Sequence, residues 1–177
     1  MNRFILKRRT PAKAVWRESY TITVLFLSLF LIFSHSCFAV TPLTLKEGQL
    51  APSFRLSSVS GSEIALSDFK NKAVLLFFWA TWCPFCTGEL PQLQKRYAEM
   101  KSKGIEVLAI DIAEPTEKVA RFVSMKGVKF PVLLDKDNKV ANSYGLVGVP
   151  TYVLIDSQGK IRFQGNSLPD DYTQFLN

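Results

Sequence analysis

Two long apolar runs dominate the hydrophobic pattern of the chain after its first forty residues. They are Ala73–Trp79 (AVLLFFW) and Ile105–Ile112 (IEVLAIDI). A strand that is buried on both faces shows such a continuous run, whereas a strand with one solvated face alternates between apolar and polar residues. The two runs therefore predict two buried strands of a central sheet.

The segments around these runs carry helical or alternating patterns. Apolar residues recur at helical spacing after Cys86 and again between Pro115 and Lys126, and a glycine follows each segment. Alternating stretches on both sides of Gly61 and Gly159 are typical of β-hairpins. The further predicted elements are a hairpin of Phe54–Leu56 with Glu63–Leu66, a helix from Cys83 to Gly104, a helix Pro115–Lys126, a strand Phe130–Leu134, a helical segment Lys139–Tyr144, a hairpin of Tyr152–Asp156 with Lys160–Gln164, and a last helix Asp170–Leu176.

The order of these elements predicts the fold class. After the N-terminal hairpin it is β-α-β-α-β-α-β-β, which is typical of an α/β domain. With right-handed crossovers, this order gives a central mixed β-sheet with helices on both faces. We expect residues 52–177 to form this domain, which is long enough to bury a core without a metal or a set of disulfides.

The first 39 residues look like an export segment rather than a part of the domain. Six basic residues and one acid lie within residues 1–20, and the clean apolar run Ile22–Phe33 has 12 residues. A signal peptide has this build, and cleavage after Ala39 is one outcome. A retained membrane anchor and lipidation at Cys37 are the others. All three place the domain outside the cytoplasm, with residues 40–51 as a linker.

Charge and histidine content exclude several function classes. The net charge of +7 comes mainly from residues 1–20, and the rest of the chain has 16 basic and 14 acidic residues. A nearly neutral domain does not have the electrostatic footprint of a nucleic-acid-binding protein. His35 is the only histidine. The domain therefore has no Ser-His-Asp or Cys-His nucleophile pair, and we expect no metal site.

The domain's two cysteines are spaced C-x-x-C, as Cys83 and Cys86. A disulfide across so short a loop gains little stability from loop closure, so redox chemistry is the better explanation. Cys83 falls where a buried strand ends and a helix begins, and a helix N-terminus lowers the pKa of a thiol. We expect Cys83 to be exposed and to attack, and Cys86 to be partly covered and to resolve. Half of a zinc site, an inert pair and a Cu(I) site remain open at this point.

The segment FFWATWCPFCTGELPQL resembles the active-site segment of thioredoxin-fold oxidoreductases, most of all the extracytoplasmic TlpA/ResA/CcmG type. The preceding APSFRL and GSEIALSDFKNKAVLLFFWATWC resemble that family too, and the likeness continues to about Gln164. The resemblance implies a thioredoxin-like fold with an N-terminal hairpin and an inserted helix-strand segment. It also implies a kinking proline at Pro91 and a cis-proline loop at Gly148-Val149-Pro150-Thr151 that faces the dithiol. The substrate-binding residues that it implies are Trp82, Pro84, Phe85, Val149 and Pro150.

One position departs from cytoplasmic thioredoxins, which carry a buried aspartate where this chain has Phe77. Resolution by Cys86 still needs a proton acceptor. Glu114 is our candidate, because it follows a buried strand at the sheet end where the cysteine helix starts, and the resembled family carries an acid at a similar place. We expect its pKa to be raised; a helix cap for the segment after Pro115 is the alternative. We expect Asp111 to be a solvated acid at the strand end.

The resemblance implies an activity and its partners. We expect a cell-envelope thiol-disulfide oxidoreductase that reduces disulfides of exported proteins such as apocytochrome c. It would act as a monomer without a cofactor and receive electrons from a membrane thiol carrier. A thiol peroxidase of peroxiredoxin type is an alternative, although Thr81 lies two residues before Cys83 where peroxiredoxins have a Thr-x-x-Cys spacing. A Cu(I)-binding module is the other.

Overall fold

A five-stranded sheet forms around the two apolar runs. The computed structural model describes residues 47–176, which lie within a compact unit, Pro42–Asn177. In spatial order the strands are β5 (Val132–Asp135), β4 (Ile105–Ile112), β3 (Ala73–Trp79), β6 (Thr151–Ile155) and β7 (Ile161–Gly165). β3 pairs in parallel with β4, as β4 does with β5, while β6 runs antiparallel to both of its neighbours. The sheet is therefore mixed, as the sequence predicts, and β3 lies at its centre.

Helices and a hairpin cover the two faces of this sheet. One face packs against α1 (Pro84–Ser102) and α2 (Thr116–Lys126) through Leu90, Leu93, Met100 and Val119, all of which are buried. The other face packs against α3 (Lys139–Ser143) and the hairpin of β1 (Arg55–Ser57) with β2 (Glu63–Ala65). The predicted α/β class with helices on both faces is confirmed.

Several predicted boundaries move by one or two residues. The fourth strand of the chain, β4, and the central β3 have the predicted bounds, whereas the strand expected at Phe130–Leu134 is β5 at Val132–Asp135. Pro131 has no N–H for a ladder hydrogen bond, and its carbonyl instead accepts one from Ala109 N at 3.0 Å. The expected last helix is a 3-10 turn at Tyr172–Leu176, because so short a segment gains few α-helical hydrogen bonds.

The predicted export segment, residues 1–39, lies outside the described residues. Within residues 47–176, none of the helices has both the length and the hydrophobicity that a bilayer crossing requires. The end of the predicted linker is part of the folded structure: Gly48 N donates to Ile161 O at 2.7 Å, and Ala51 N donates to Gly159 O at 2.9 Å.

Candidate active site

Cys83 is the N-cap residue of α1 and follows the central strand β3 after a turn at residues 80–82. Its backbone is extended, with φ of −89° and ψ of 109°, and Pro84 occupies the start of the helix, where an N–H would have no partner in the helix. Cys86 N donates a hydrogen bond to Cys83 Sγ at 3.2 Å, and Thr87 N donates to Cys83 O at 3.0 Å. The Cys83 sulfur therefore receives the kind of contact that stabilises a thiolate at a helix N-terminus.

Cys83 and Cys86 form a disulfide, and both are buried. Cys83 is 4% exposed and Cys86 is 0% exposed. The expected order of exposure is correct, but the expectation that Cys83 is exposed is wrong. The reason lies in a distant loop, because the carbonyl oxygen of Val149 lies 3.7 Å from Cys83 Sγ and covers it.

That loop contains the cis peptide bond that the resemblance implies, between Val149 and Pro150. Its conformation is held from both ends. Thr151 Oγ1 donates to Gly148 O at 2.8 Å, and Asn166 Nδ2 donates to Pro150 O at 2.8 Å. The loop therefore presents the Val149 backbone to the cysteine pair, 66 residues away in the sequence.

Exposed large apolar side chains lie close in sequence to the cysteines and to the cis-proline loop. Trp82 is 62% exposed and Phe85 is 79% exposed, and Pro84 between them is also exposed. Val147, two residues before Val149, is 100% exposed. Val147 was not among the predicted site residues, although its place just before the Gly148-Val149-Pro150 segment could have indicated it. We call Trp82, Phe85 and Val147 the apolar rim.

Glu114 is buried and binds the turn that leads to Cys83. Thr81 donates to it twice, from its backbone N at 2.5 Å and from Oγ1 at 2.7 Å, and Lys118 forms an ion pair with it. Burial alone would raise the pKa of Glu114, but the hydrogen bonds from Lys118 and Thr81 outweigh it, and the pKa lies below its ordinary value. The expectation of a raised pKa is therefore wrong. The helix-cap alternative is not seen either, because the N-cap of α2 is Pro115, without a side-chain cap.

Asp111 differs most from its expected environment. It is 1% exposed instead of solvated, because β4 continues to Ile112 and Asp111 faces the core that α1 and α2 cover. Burial, with a smaller contribution from a hydrogen bond to Glu114, raises its pKa to about 9. The expectation of a solvated strand-end acid is wrong.

Phe77 belongs to the same buried apolar cluster as Cys83 and Cys86. It is fully buried, and its ring stacks on Tyr152 at 4.7 Å between centroids. Tyr152 Oη donates to Glu89 Oε2 at 3.0 Å. Glu89 was not predicted as a site residue, but it follows Cys86 by three residues on α1 and so lies on the same helix face.

Metal-ligating groups do not cluster in the part of the chain that the structure describes. Within residues 47–176, no three side chains of the His, Cys, Asp and Glu types come together as metal ligands would.

Known proteins resemble this chain in sequence and in fold. The model of the AhpC/TSA family matches residues 48–164. Thiol-disulfide oxidoreductase ResA of Bacillus thuringiensis subsp. konkukian is 37% identical over 131 residues, which are 73% of this chain and 76% of that protein. ResA of Halalkalibacterium halodurans is 36% identical over 149 residues, 84% of each chain. The chain belongs to the ResA family of thiol-disulfide oxidoreductases.

A solved structure extends this likeness to three dimensions. The thioredoxin domain of a thiol-disulfide oxidoreductase from Bacteroides vulgatus has a TM-score of 0.66 and is 31% identical, over 76% of this chain and all of that chain. This ResA-family protein is thus an enzyme with a thioredoxin-like fold, as predicted. Its predicted site residues come together as one site: the cysteines with Val149 and Pro150 on one side, the exposed Trp82, Pro84 and Phe85 around them, and Glu114 behind Thr81.

Proposed function

We propose that this ResA-family protein reduces disulfides of exported proteins through the Cys83/Cys86 dithiol. The observation that carries the proposal is a disulfide at a helix N-terminus with the Val149–Pro150 backbone against its first sulfur. A helix N-terminus favours the thiolate form of Cys83, and the adjoining loop offers backbone groups to a substrate segment.

The reaction follows from the order of the two sulfurs. The Cys83 thiolate attacks one sulfur of the substrate disulfide, a mixed disulfide forms, and the other substrate sulfur leaves as a thiolate. Cys86 then loses its proton and attacks the Cys83 sulfur, so that the enzyme disulfide forms and the second substrate sulfur leaves. Two electrons have passed to the substrate, and the proton of Cys86 ends on a substrate thiolate.

The apolar rim and the cis-proline loop form the substrate-binding surface in this proposal. Trp82, Pro84 and Phe85 lie exposed at the start of α1, and Val149 and Pro150 place backbone groups beside the disulfide. A short extended segment can add to such backbone through main-chain hydrogen bonds, while apolar side chains next to its disulfide contact the rim. The surface fits an unfolded or flexible client better than a rigid one.

We assign to Glu114 the role of proton acceptor for Cys86. Its bonds to Thr81 place it behind the turn that ends at Cys83, and its ionised state at neutral pH leaves it able to accept a proton. Lys118 and Thr81 also hold it in one position, which general-base catalysis requires.

The proposed partners follow the family resemblance. The enzyme would act outside the cytoplasm after export by residues 1–39, which either are cleaved or attach it to the membrane, and a membrane thiol carrier would reduce it again. Apocytochrome c is a fitting client, because its haem-binding cysteines must be reduced and its chain is extended before haem attachment. Cell fractionation tests the location: recovery of the protein in the cytoplasm would contradict it.

A reductase assay tests the dithiol itself. The wild-type protein with an excess of a small dithiol should reduce a peptide that contains one disulfide, and Cys83→Ser should lose this activity by at least about 10²-fold. Glu106→Gln, at the far end of β4, serves as a control that should keep the wild-type rate. A Cys83→Ser variant as active as the wild type would contradict the proposal.

The match to the AhpC/TSA family favours thiol peroxidase activity as a second candidate. The site supports it less well. The Thr81 hydroxyl donates to Glu114, and within residues 47–176 no arginine donates a hydrogen bond to either cysteine. Peroxide oxidation of the reduced protein much faster than that of a free thiol would favour the peroxidase, and stoichiometric Cu(I) binding with weak reductase activity would favour a copper module.

A further inference from the structure

Asp111 is a buried acid that the reaction described above does not use. It lies two residues after Ala109 on β4, and Ala109 belongs to the apolar cluster that also contains Cys83 and Cys86. Side chains two residues apart on a strand share one face of the sheet, so Asp111 belongs to the face that carries the dithiol. Among the groups in residues 47–176, no N–H or O–H donates to either of its carboxylate oxygens.

The Asp111 carboxyl group interacts with that of Glu114, and this interaction raises the pKa of Asp111 and lowers that of Glu114. Residues three apart in a regular strand point to opposite faces. Here Ala113 has φ of 55°, in the left-handed region that residues other than glycine rarely adopt, and it breaks this alternation between the two acids. Two ionised carboxylates can only accept hydrogen bonds and repel each other, so a hydrogen bond between them needs a proton on one of them.

We propose that Asp111 and Glu114 share one proton at neutral pH, carried by Asp111 and donated to Glu114, and that this pair is the unit that handles the proton of Cys86. The second clause rests on the proposed function; the first rests on the burial of Asp111 without a donor and on the donors that surround Glu114. Asp111 acts on the dithiol through Glu114 and is therefore a positioning residue.

The donors around the pair decide which carboxyl group is charged. Glu114 receives two hydrogen bonds from Thr81 and the ammonium group of Lys118, all of which favour its ionised form. Asp111 has no such donor, and Lys118 reaches it only as a more distant charge that lowers its pKa. Burial and the neighbouring Glu114 carboxylate therefore keep Asp111 protonated, in line with its pKa of about 9.

The pair resolves a difficulty with Glu114 acting alone. A carboxylate whose pKa lies below its ordinary value is a poor base for a thiol with a pKa of about 8.5. When Glu114 accepts the proton of Cys86, the pair holds two protons and no charge, and neutral carboxyl groups cost less to bury than a charged one. The proton then passes to the departing substrate thiolate, and the pair returns to one proton.

Carbon-13 NMR of the oxidised full chain, labelled at the aspartate side-chain carboxyl carbons, tests the shared proton without substrate. One signal should titrate with a midpoint well above pH 7 and should disappear in Asp111→Asn. In Glu114→Gln the neighbouring charge is gone, so this midpoint should fall by at least about 1 pH unit. Asp135→Asn is the matched control, because Asp135 is a fully buried acid that accepts from Val140 N and Ala141 N instead.

Each result decides the proposal. A midpoint of Asp111 near the ordinary value of about 3.9 would overturn it. So would a high midpoint that Glu114→Gln leaves unchanged, or one that Asp135→Asn lowers as much as Glu114→Gln does. The measurement needs no catalysis, so it stands apart from the proposed function, which fails only if Cys83→Ser keeps its reductase activity.

Discussion

At the residue scale, the two cysteines differ in helix position and burial, and these differences support the proposed roles. Cys83 caps a helix and accepts a hydrogen bond from Cys86 N, whereas Cys86 is fully buried inside the first turns of that helix. We predict that in the reduced protein Cys83 is alkylated at pH 7 faster than Cys86, because the helix N-terminus and the N–H of Cys86 stabilise its thiolate. Peptide mass spectrometry after brief alkylation measures both rates, and faster reaction at Cys86 would reverse the assignment.

Glu114 carries the second residue-scale prediction. Glu114→Gln keeps the size of the side chain but removes the base, so reduction of a substrate disulfide should slow by about 10²-fold or more. Because the ionised Glu114 accepts two hydrogen bonds from Thr81, the substitution should also lower the free energy of unfolding by about 1–3 kcal/mol.

The pH dependence of that stability loss follows from the lowered pKa of Glu114. The carboxylate contributes stability above its unfolded-state pKa, and this contribution is lost as the pH falls through the lower folded-state pKa. Urea unfolding should therefore show a larger difference between Glu114→Gln and the wild type at pH 7 than at pH 3. Unchanged activity and thiol titration, with only the stability reduced, would leave Glu114 a structural residue.

At the element scale, the first turn of α1 combines the reactive sulfur with an exposed aromatic ring. Phe85→Ala should raise KM for a disulfide peptide with apolar flanking residues by about tenfold, since burial of a phenyl side chain is worth about 1.5–3 kcal/mol. It should leave the rate with a small disulfide that does not reach the ring unchanged. Leu50→Ala removes a side chain of similar exposure, 70%, at the opposite end of the sheet, and should change neither value. An equal effect of both substitutions would contradict a specific contact between the apolar rim and the substrate.

The element scale also separates what the sequence could predict from what it could not. β3 and β4 have the predicted bounds because a continuous apolar run in each strand already indicates burial on both faces. The cysteines at the helix start and the cis bond before Pro150 agree with expectation because local motifs carry them. The burial of Cys83 was not predictable in this way, because it depends on a loop 66 residues later.

For the two acids near the dithiol, the sequence likewise indicates the position but not the protonation state. The position of Glu114 could be read from the chain, but its low pKa depends on hydrogen bonds from Thr81, 33 residues earlier. Asp111 stands in an apolar run that indicates a buried strand, yet its own environment depends on which helices cover that end of the sheet. Periodicity places a residue on an element, whereas its protonation depends on contacts between elements.

At the scale of the whole molecule, Asp111 makes stability depend on pH. Its pKa is raised to about 9 in the folded state, so between about pH 4 and pH 9 the folded protein holds a proton that the unfolded chain has lost. Stability should therefore fall as the pH rises through this range. Asp111→Asn removes the dependence, and its free energy of unfolding relative to the wild type should be higher at pH 8 than at pH 5 by at least about 1.4 kcal/mol, the free energy of one pKa unit. Urea unfolding at the two pH values measures this, and an equal difference at both would contradict it.

The central claim is that Cys83 attacks a substrate disulfide and Cys86 releases the product, and one trapping measurement tests it most directly. The reduced Cys86→Ser variant is mixed at pH 7 with a peptide that contains one disulfide, and the products are mapped by mass spectrometry, with Cys83→Ser in parallel. We predict a stable mixed disulfide on Cys83 of the Cys86→Ser variant and little or none on Cys86 of the Cys83→Ser variant. Faster trapping on Cys86, or no adduct on Cys83, would contradict the account.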